Sequence, residues 1–387
     1  MKQTADGAPD SSPRTDYLLD GVLRACDLVR AFHYDGEVLR LRDLVERTGI
    51  NKTTAFRVLA SLERGGLIEK TGRGSYRAAV KALRRRRYRI GYASQSEDAF
   101  FAREVTESIR RAASAHEVDL IVVNNRYSQK VALRNADLLV GERVDLVIEF
   151  QTYESVAPLI SAKFLEARIP MIAVEIPHPG ATFYGGNNYE AGRIGGRALG
   201  MWAKKHWQGQ VEEILLLELP MAGLLPQLRL QGTLAGIRQV LPGVEDSRVI
   251  HLDGKGTFEA SLDVVRRHLR QAPERRTLVG AINDQCALGA LRAFEEAGRS
   301  PRCAVMGQNA IPEARAELRR PNTRLAGSVA FFPERYGEAL IRMALDILNK
   351  RPVPPAVFVH HRLATPETVD QLYPNDSLIM PREFSPA

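Results

Sequence analysis

From Tyr88 to about residue 330 the chain repeats one unit, a short apolar run followed by an amphipathic helical stretch. That repetition restricts the fold more than any other feature. "YRIGYAS" precedes a helical pattern over 101–116, "VDLIVVNN" one over 128–139 and "VDLVIEF" one over 155–167, and "IPMIAVEI" closes the first series. "EEILLLEL", "SRVIHLD", "RTLVGAIND", "RCAVMGQN" and "RLAGSVAF" form a second series, again with helical stretches between them. The runs are apolar with little alternation, the pattern of parallel strands covered by helices on both faces. Two doubly wound halves of similar period predict two α/β lobes. Ligands of such sheets bind beyond the carboxyl ends of the strands, so facing lobes would enclose one between them.

The first 90 residues differ in kind. They hold 19 Lys and Arg against 11 Asp and Glu, whereas residues 91–387 hold 35 of each sign, so the whole formal charge of +8 lies in the first quarter. A small basic module joined to a neutral body suits a polyanionic partner. After a lead over 1–14 without an apolar core, Leu18, Leu19, Val22, Leu23, Leu28, Val29 and Phe32 recur at helical spacing. A shorter helix ends at Gly49. A third is capped by Asn51, carries Ala55, Val58, Leu59 and Leu62 as its inner stripe and stops at Gly65-Gly66. The tight "RTGIN" connection predicts a helix-turn-helix. Asn51, Lys52, Thr53, Thr54 and Arg57 lie near the N-terminus of its third helix, where they can meet phosphates and base edges. "LIEKTGRGSYRA" predicts a hairpin wing with Arg73 at its tip and Arg77 on the return strand. Next, "VKALRRRR" supplies Arg84, Arg85, Arg86 and Arg87 as a basic linker over 81–87 that can run along phosphates.

Several function classes find no support. With 44% hydrophobic and 26% charged residues the chain is not a disordered one, and no stretch reaches eighteen consecutive apolar residues. Cys26, Cys286 and Cys303 are far apart and lack metal-ligand spacing, as expected of buried thiols in a reducing cytoplasm. Neither a nucleophile elbow nor a phosphate loop occurs, so no catalytic residue, metal or cofactor is expected. The glycines at 185, 186, 195 and 196 fit turns and close helix packing, because the rest of a dinucleotide fingerprint is missing. His360 and His361 are read as structural or surface, since adjacent strand residues point to opposite faces.

Two resemblances sharpen the expectation. Thr48, Gly49, Lys52, Thr53, Thr54, Arg57, Leu59, Leu62, Gly66 and Tyr76 stand in an order that resembles the winged helix-turn-helix of isocitrate-lyase-regulator (IclR) type transcription factors, over about 15–80. Residues 88–372 resemble the ligand-binding domain of lac-repressor-type regulators and of periplasmic ribose-type binding proteins. The landmarks are "DAFF" at 98–101, "GGNNYEAGRIGG" at 185–196, "RLQG" at 229–232, "INDQCALGALRAFEEAG" at 282–298, "VMGQNAIPEA", "LAGSVAFFPERYG" and "HHRLATPETV". The resemblance implies three chain exchanges between lobes, with lobe one at about 88–186 and 332–360 and lobe two at about 187–331 and 361–375, before a tail over 376–387. It implies ligand contacts at Asp98, Phe100, Phe101, Glu149, Glu175, Asn187, Arg229, Asn283, Asn309 and Phe331, with His178 near the mouth. Departures from the ribose pattern are Asn309 for an aspartate, Gln308 for an aromatic, Phe331 for a glutamine and Ile176 for an arginine. The resulting expectation is a cytoplasmic, homodimeric regulator. It would bind a palindromic double-stranded DNA operator, probe no membrane, and answer to a carbohydrate or polyol, most simply as a repressor. The alternatives are a nucleoside or aromatic effector, a solute-binding protein without DNA function, and an enzyme using the cleft.

Overall fold

The computed structural model describes residues 18–33, 36–79 and 87–376, and the chain divides into two compact units, Met1–Arg87 and Tyr88–Ala387. In the first, α1 (Asp20–Arg30), β1 (Val38–Arg40), α2 (Leu41–Thr48), α3 (Lys52–Arg64), β2 (Ile68–Gly72) and β3 (Ser75–Ala78) follow in order. Helix α2 ends at Gly49 in the left-handed region at φ 67°, a conformation open to a residue without Cβ. Asn51 then starts α3 by accepting from the Thr54 N–H at 2.9 Å. Leu28, Leu44, Ala55 and Leu59 are fully buried, with Leu62, Ile68 and Tyr76 around them.

Two details depart from the sequence-based expectation. The wing is a three-stranded antiparallel sheet in the order β1-β3-β2, because Val38–Arg40 pairs with β3 ahead of α2. The apolar stripe of α1 is split: Leu28 is in the core, while Leu18, Leu19, Val22 and Leu23 are exposed. A partly buried ion pair links α2 to the connection after α1. Arg47 donates to Glu37 at 2.9 Å and to the Ala31 carbonyl, and the His33 N–H donates to the other Glu37 oxygen. Burial opposes ionisation of Glu37, but these hydrogen bonds outweigh it and hold the carboxyl below its ordinary range.

The second unit alternates β4 (Arg89–Ser94), α4 (Phe100–Ala115), β5 (Asp119–Asn124), α5 (Gln129–Gly141), β6 (Leu146–Glu149), α6 (Ala157–Glu166), β7 (Met171–Val174) and β8 (Thr182–Gly186). There follow α7 (Asn188–Trp207), β9 (Glu213–Glu218), α8 (Leu224–Val240), β10 (Val249–Asp253), α9 (Phe258–Gln271), β11 (Thr277–Ala281), α10 (Asp284–Glu296), β12 (Cys303–Asn309), α11 (Pro312–Leu318) and β13 (Leu325–Ala330). The unit closes with α12 (Tyr336–Leu348), β14 (Ala356–Val359), β15 (Arg362–Ala364) and α13 (Val369–Leu372). One six-stranded sheet has the order β14-β8-β7-β6-β4-β5 and the other β10-β9-β11-β12-β13-β15, parallel throughout except for β15. The chain passes between the sheets three times, from β8 to α7, from β13 to α12 and from β14 to β15.

Helix α7 lies directly on α8, and the glycines make this possible. A Cβ at Gly192 would sit 1.8 Å from the Arg229 carbonyl oxygen, and one at Gly196 2.0 Å from that of Thr233. No helix among the described residues is long and apolar enough to cross a membrane.

Candidate effector cleft and DNA-facing helix

The cleft is built where strand ends and crossovers meet. Glu175 follows β7 with φ 62°, unusual for a residue with a side chain, and its Oε1 accepts from the Gly186 N–H at 3.1 Å and from the Tyr336 hydroxyl at 2.6 Å. Both bonds fall on Oε1, and neither occupies Oε2. Burial raises the Glu175 pKa, and the Arg229 charge with the two hydrogen bonds opposes the rise. Arg229 comes from α8 and is buried. Its Nε and Nη2 donate to Asn188 Oδ1 at 3.0 and 2.6 Å, its Nη1 donates to the Ile282 carbonyl at 2.6 Å, and its guanidinium carbon lies 4.5 Å from the centre of the Phe331 ring.

The rings form one connected group. Phe101 meets Phe331, Phe150 and Tyr336 edge to face at centroid distances of 6.4, 6.4 and 5.6 Å, and Tyr184 meets Tyr336 at 5.1 Å. Such pairs contribute roughly 0.5–1.5 kcal/mol each beyond their buried area. Phe331 also packs on His361 at 4.3 Å and on Gly186, where a Cβ would stand 2.4 Å from the ring. This ring, itself on the β13 to α12 crossover, therefore touches residues of the other two. Phe100 points elsewhere, against the core of the second lobe, with the Arg315 guanidinium 6.0 Å above it.

Of the candidate residues, Glu175, Arg229, Phe101 and Phe331 come together, and the others are bonded apart from this group. Glu149 is fully buried on the α5 side of its sheet, where Asn125 donates to it at 2.8 Å and Asn135 in turn donates to Asn125. Its Oε2 has no partner, and burial pushes the carboxyl up to about 8. His178 is buried with Nδ1 donating to the Ile176 carbonyl and Nε2 facing the Gln151 amide at 3.5 Å, and burial depresses its pKa to about 4. Asn187 is exposed and caps α7, while its neighbour Asn188 turns inward to hold Arg229. Asn283 caps α10 through the Cys286 N–H and donates to the Gly256 carbonyl. Asp98 is exposed and accepts from the Ser96 hydroxyl. Asn309 ends β12 half-buried, at φ 102°.

Sequence reading singled out neither Asn188 nor Tyr336, and it took His361 as structural or surface, which its packing on Phe331 fits. A signal existed for the first: Asn188, Gly192 and Gly196 recur every four residues, so Asn188 shares the glycine face that meets α8.

In the first unit, Asn51, Lys52, Thr53 and Arg57 are exposed at the start of α3, with Thr54 half-buried. Arg73 is exposed at the turn between β2 and β3. Arg77 is committed across the sheet to Glu69, 2.5 Å from Nε. Arg87 is exposed, while Arg84, Arg85 and Arg86 lie outside the described residues.

Two facing α/β lobes joined by three crossovers, with a carboxylate and a guanidinium between them, define a two-lobed ligand-binding body, here preceded by a helix-turn-helix unit. The chain belongs to the periplasmic binding protein domain family, whose profile matches residues 90–352, and the IclR helix-turn-helix domain profile matches residues 21–72. No curated protein matches the chain. Among solved structures, a solute-binding protein from Actinobacillus succinogenes 130z with bound D-allose is 18% identical over 73% of this chain and 99% of its own, with a TM-score of 0.64. One from Bacillus halodurans C-125 with bound myo-inositol is 19% identical over 74% and 97%, with a TM-score of 0.64. A protein from Mycobacterium smegmatis in complex with β-D-fucofuranose is 19% identical over 76% and 96%, again at 0.64. At these identities the likeness speaks for the fold. Among the described residues no group of His, Cys, Asp and Glu is placed to hold a metal ion.

Proposed function

We propose that the protein is a cytoplasmic, homodimeric transcriptional regulator that binds a palindromic DNA operator through α3 and the wing, and whose operator affinity is changed by a small carbohydrate or polyol held between the lobes. The observation that carries this reading is the pairing, in one chain, of a basic helix-turn-helix with a sugar-binding-type cleft in which Glu175 Oε2 and the Phe101 ring are offered together. A carboxylate accepts from hydroxyls and an aromatic face covers the C–H side of a ring, the two requirements of polyol recognition. The bound sugars and inositol in structures of this fold support the same class.

Lys52, Thr53, Arg57 and Arg73 supply phosphate and base-edge contacts, and Arg84–Arg87 the salt-sensitive part of the affinity. Ligand shifts the relation between the lobes and thereby the dimer, with repression relieved by ligand as the simplest sign. A nucleoside is the second reading, favoured by the ring cluster of Phe101, Phe331 and Tyr336.

The test is selection of duplexes from a genomic library with the full chain, followed by anisotropy titrations at fixed salt with and without aldoses, inositols and nucleosides. An inverted-repeat duplex whose affinity one ligand changes supports the proposal. Binding that is uniform across duplexes and indifferent to every ligand overturns it.

A further inference from the structure

Arg229 stands at the centre of the cleft, yet it is poorly placed to grip an anion. A guanidinium recognises carboxylates and phosphates through a planar fork of two N–H groups, and it is also attractive through its flat face. Here one fork edge, Nε with Nη2, is spent on Asn188 Oδ1, and one N–H of Nη1 goes to the Ile282 carbonyl, so three of the five N–H donors are engaged. The flat face is covered by Phe331 at 4.5 Å. The ring cannot easily leave that position while Gly186 lies beneath it and Phe101 and His361 flank it. Glu175, the other charged group of the cleft, is a carboxylate that would repel an acidic ligand.

We propose that Phe331 is the specificity-determining residue of the cleft: by roofing the Arg229 guanidinium it reserves the site for uncharged ligands and excludes their acidic counterparts. The inference rests on the effector reading above, and it assigns Arg229 the role of a positioning residue that braces Asn188 and the Ile282 carbonyl. Removing the ring opens the guanidinium to solvent and gives an acidic ligand the cation it otherwise lacks. Gly186→Ala does the same without touching Phe331, because the new Cβ collides with the ring.

Two measurements on the full-length chain test this separately. First, native-state modification with an arginine-specific dicarbonyl, mapped by peptide mass spectrometry, compares Arg229 with the exposed Arg197 in the same sample. Arg229 should be protected in the natural chain and should react about tenfold faster or more, relative to Arg197, in Phe331→Ala and Gly186→Ala, the scale of one lost desolvated cation–π contact. Phe331→Leu keeps most of the volume and guards against collapse; it should move in the same direction by less. Equal reactivity in all four chains overturns the shield.

Second, thermal shifts are recorded with matched pairs, D-galactose with D-galacturonate and D-glucitol with D-gluconate. Stabilisation of the natural chain by neutral members only, with acids gaining in Phe331→Ala, supports the selectivity. Stabilisation by acid and neutral members alike defeats the selectivity and leaves the effector reading standing. No stabilisation of any chain by any member defeats the sugar-effector reading and the selectivity together.

Discussion

Asn188 Oδ1 accepts from Arg229 twice, at 3.0 Å from Nε and 2.6 Å from Nη2, and so joins the first turn of α7 to the first half of α8. A buried guanidinium costs several kcal/mol unless its donors are satisfied, and removing its partner leaves a buried, uncompensated charge, whereas removing the guanidinium itself takes that charge away. Asn188→Ala should therefore destabilise the chain by about 2–4 kcal/mol in urea, on the scale of a lost charge-assisted bond with an unpaired buried cation. Arg229→Met should cost less. If Arg229→Met proves the more harmful of the two, the pair is a net source of stability and the argument fails.

The α7–α8 contact gives a second expectation, carried by glycines whose environments differ. Gly192 and Gly196 each face a backbone oxygen of α8 at a distance no Cβ can occupy, and backbone cannot rotate aside. Gly192→Ala and Gly196→Ala should each cost about 1–3 kcal/mol or more, as overpacked positions do, and Gly192→Ala should also disturb the cleft because it pushes on Arg229 itself. Gly141, the last residue of α5, has nothing within 4 Å of a built Cβ. Gly141→Ala should be neutral or stabilising by up to about 1 kcal/mol. Thermal denaturation of the three variants checks both halves of the contrast.

What the sequence disclosed follows the physics of burial. Strands covered on both faces, such as Leu146–Glu149 and Thr277–Ala281, are apolar over most of their length, so the two-lobed repeat was legible, and the helix expected over 101–116 forms at Phe100–Ala115. Short elements were not: Val38–Arg40 is three residues long and becomes a strand only because β3 pairs with it. The cleft was legible by residue type and not by direction. Val147 and Glu149 face α5 and α6 while Ile148 and Phe150 face α4 and α12, and nothing local says which side of a strand end looks into the cleft. The Tyr336 to Glu175 bond joins residues 161 positions apart, a tertiary meeting without a local signature.

Glu149 yields a pH dependence with a definite sign. Its folded pKa is raised to about 8 by burial, above the ordinary carboxyl value of 4.5. Between those values the folded chain holds a proton that the unfolded chain releases, so this group's contribution to stability is complete below about pH 4.5 and is lost as pH rises through about 8. Asp284, raised to about 7 by burial, acts in the same direction. Glu149→Gln cannot ionise and can still accept from Asn125. Relative to the natural chain it should gain stability between pH 5 and pH 8, by up to about 1.4 kcal/mol for each pH unit crossed. Parallel urea curves at the two pH values, with the same difference at both, would exclude an ionising Glu149.

The last expectation separates two arginines of the wing. Arg73 is exposed at the turn, whereas Arg77 is held across the sheet by Glu69, so only the first is available to a phosphate without breaking a bond. Arg73→Ala should weaken binding to every duplex alike and lower the salt slope by about one unit. Arg77→Ala should change affinity little, and Glu69→Ala, which releases Arg77, should raise affinity and steepen the slope. Arg57→Ala lies on α3 and should lose about 1–3 kcal/mol at the preferred operator while sparing unrelated duplexes, the mark of a base contact. Anisotropy titrations over a salt series read all four. Should Arg73→Ala and Arg77→Ala prove equally costly, the Glu69 pair must open on DNA and the wing engages the duplex through both arginines.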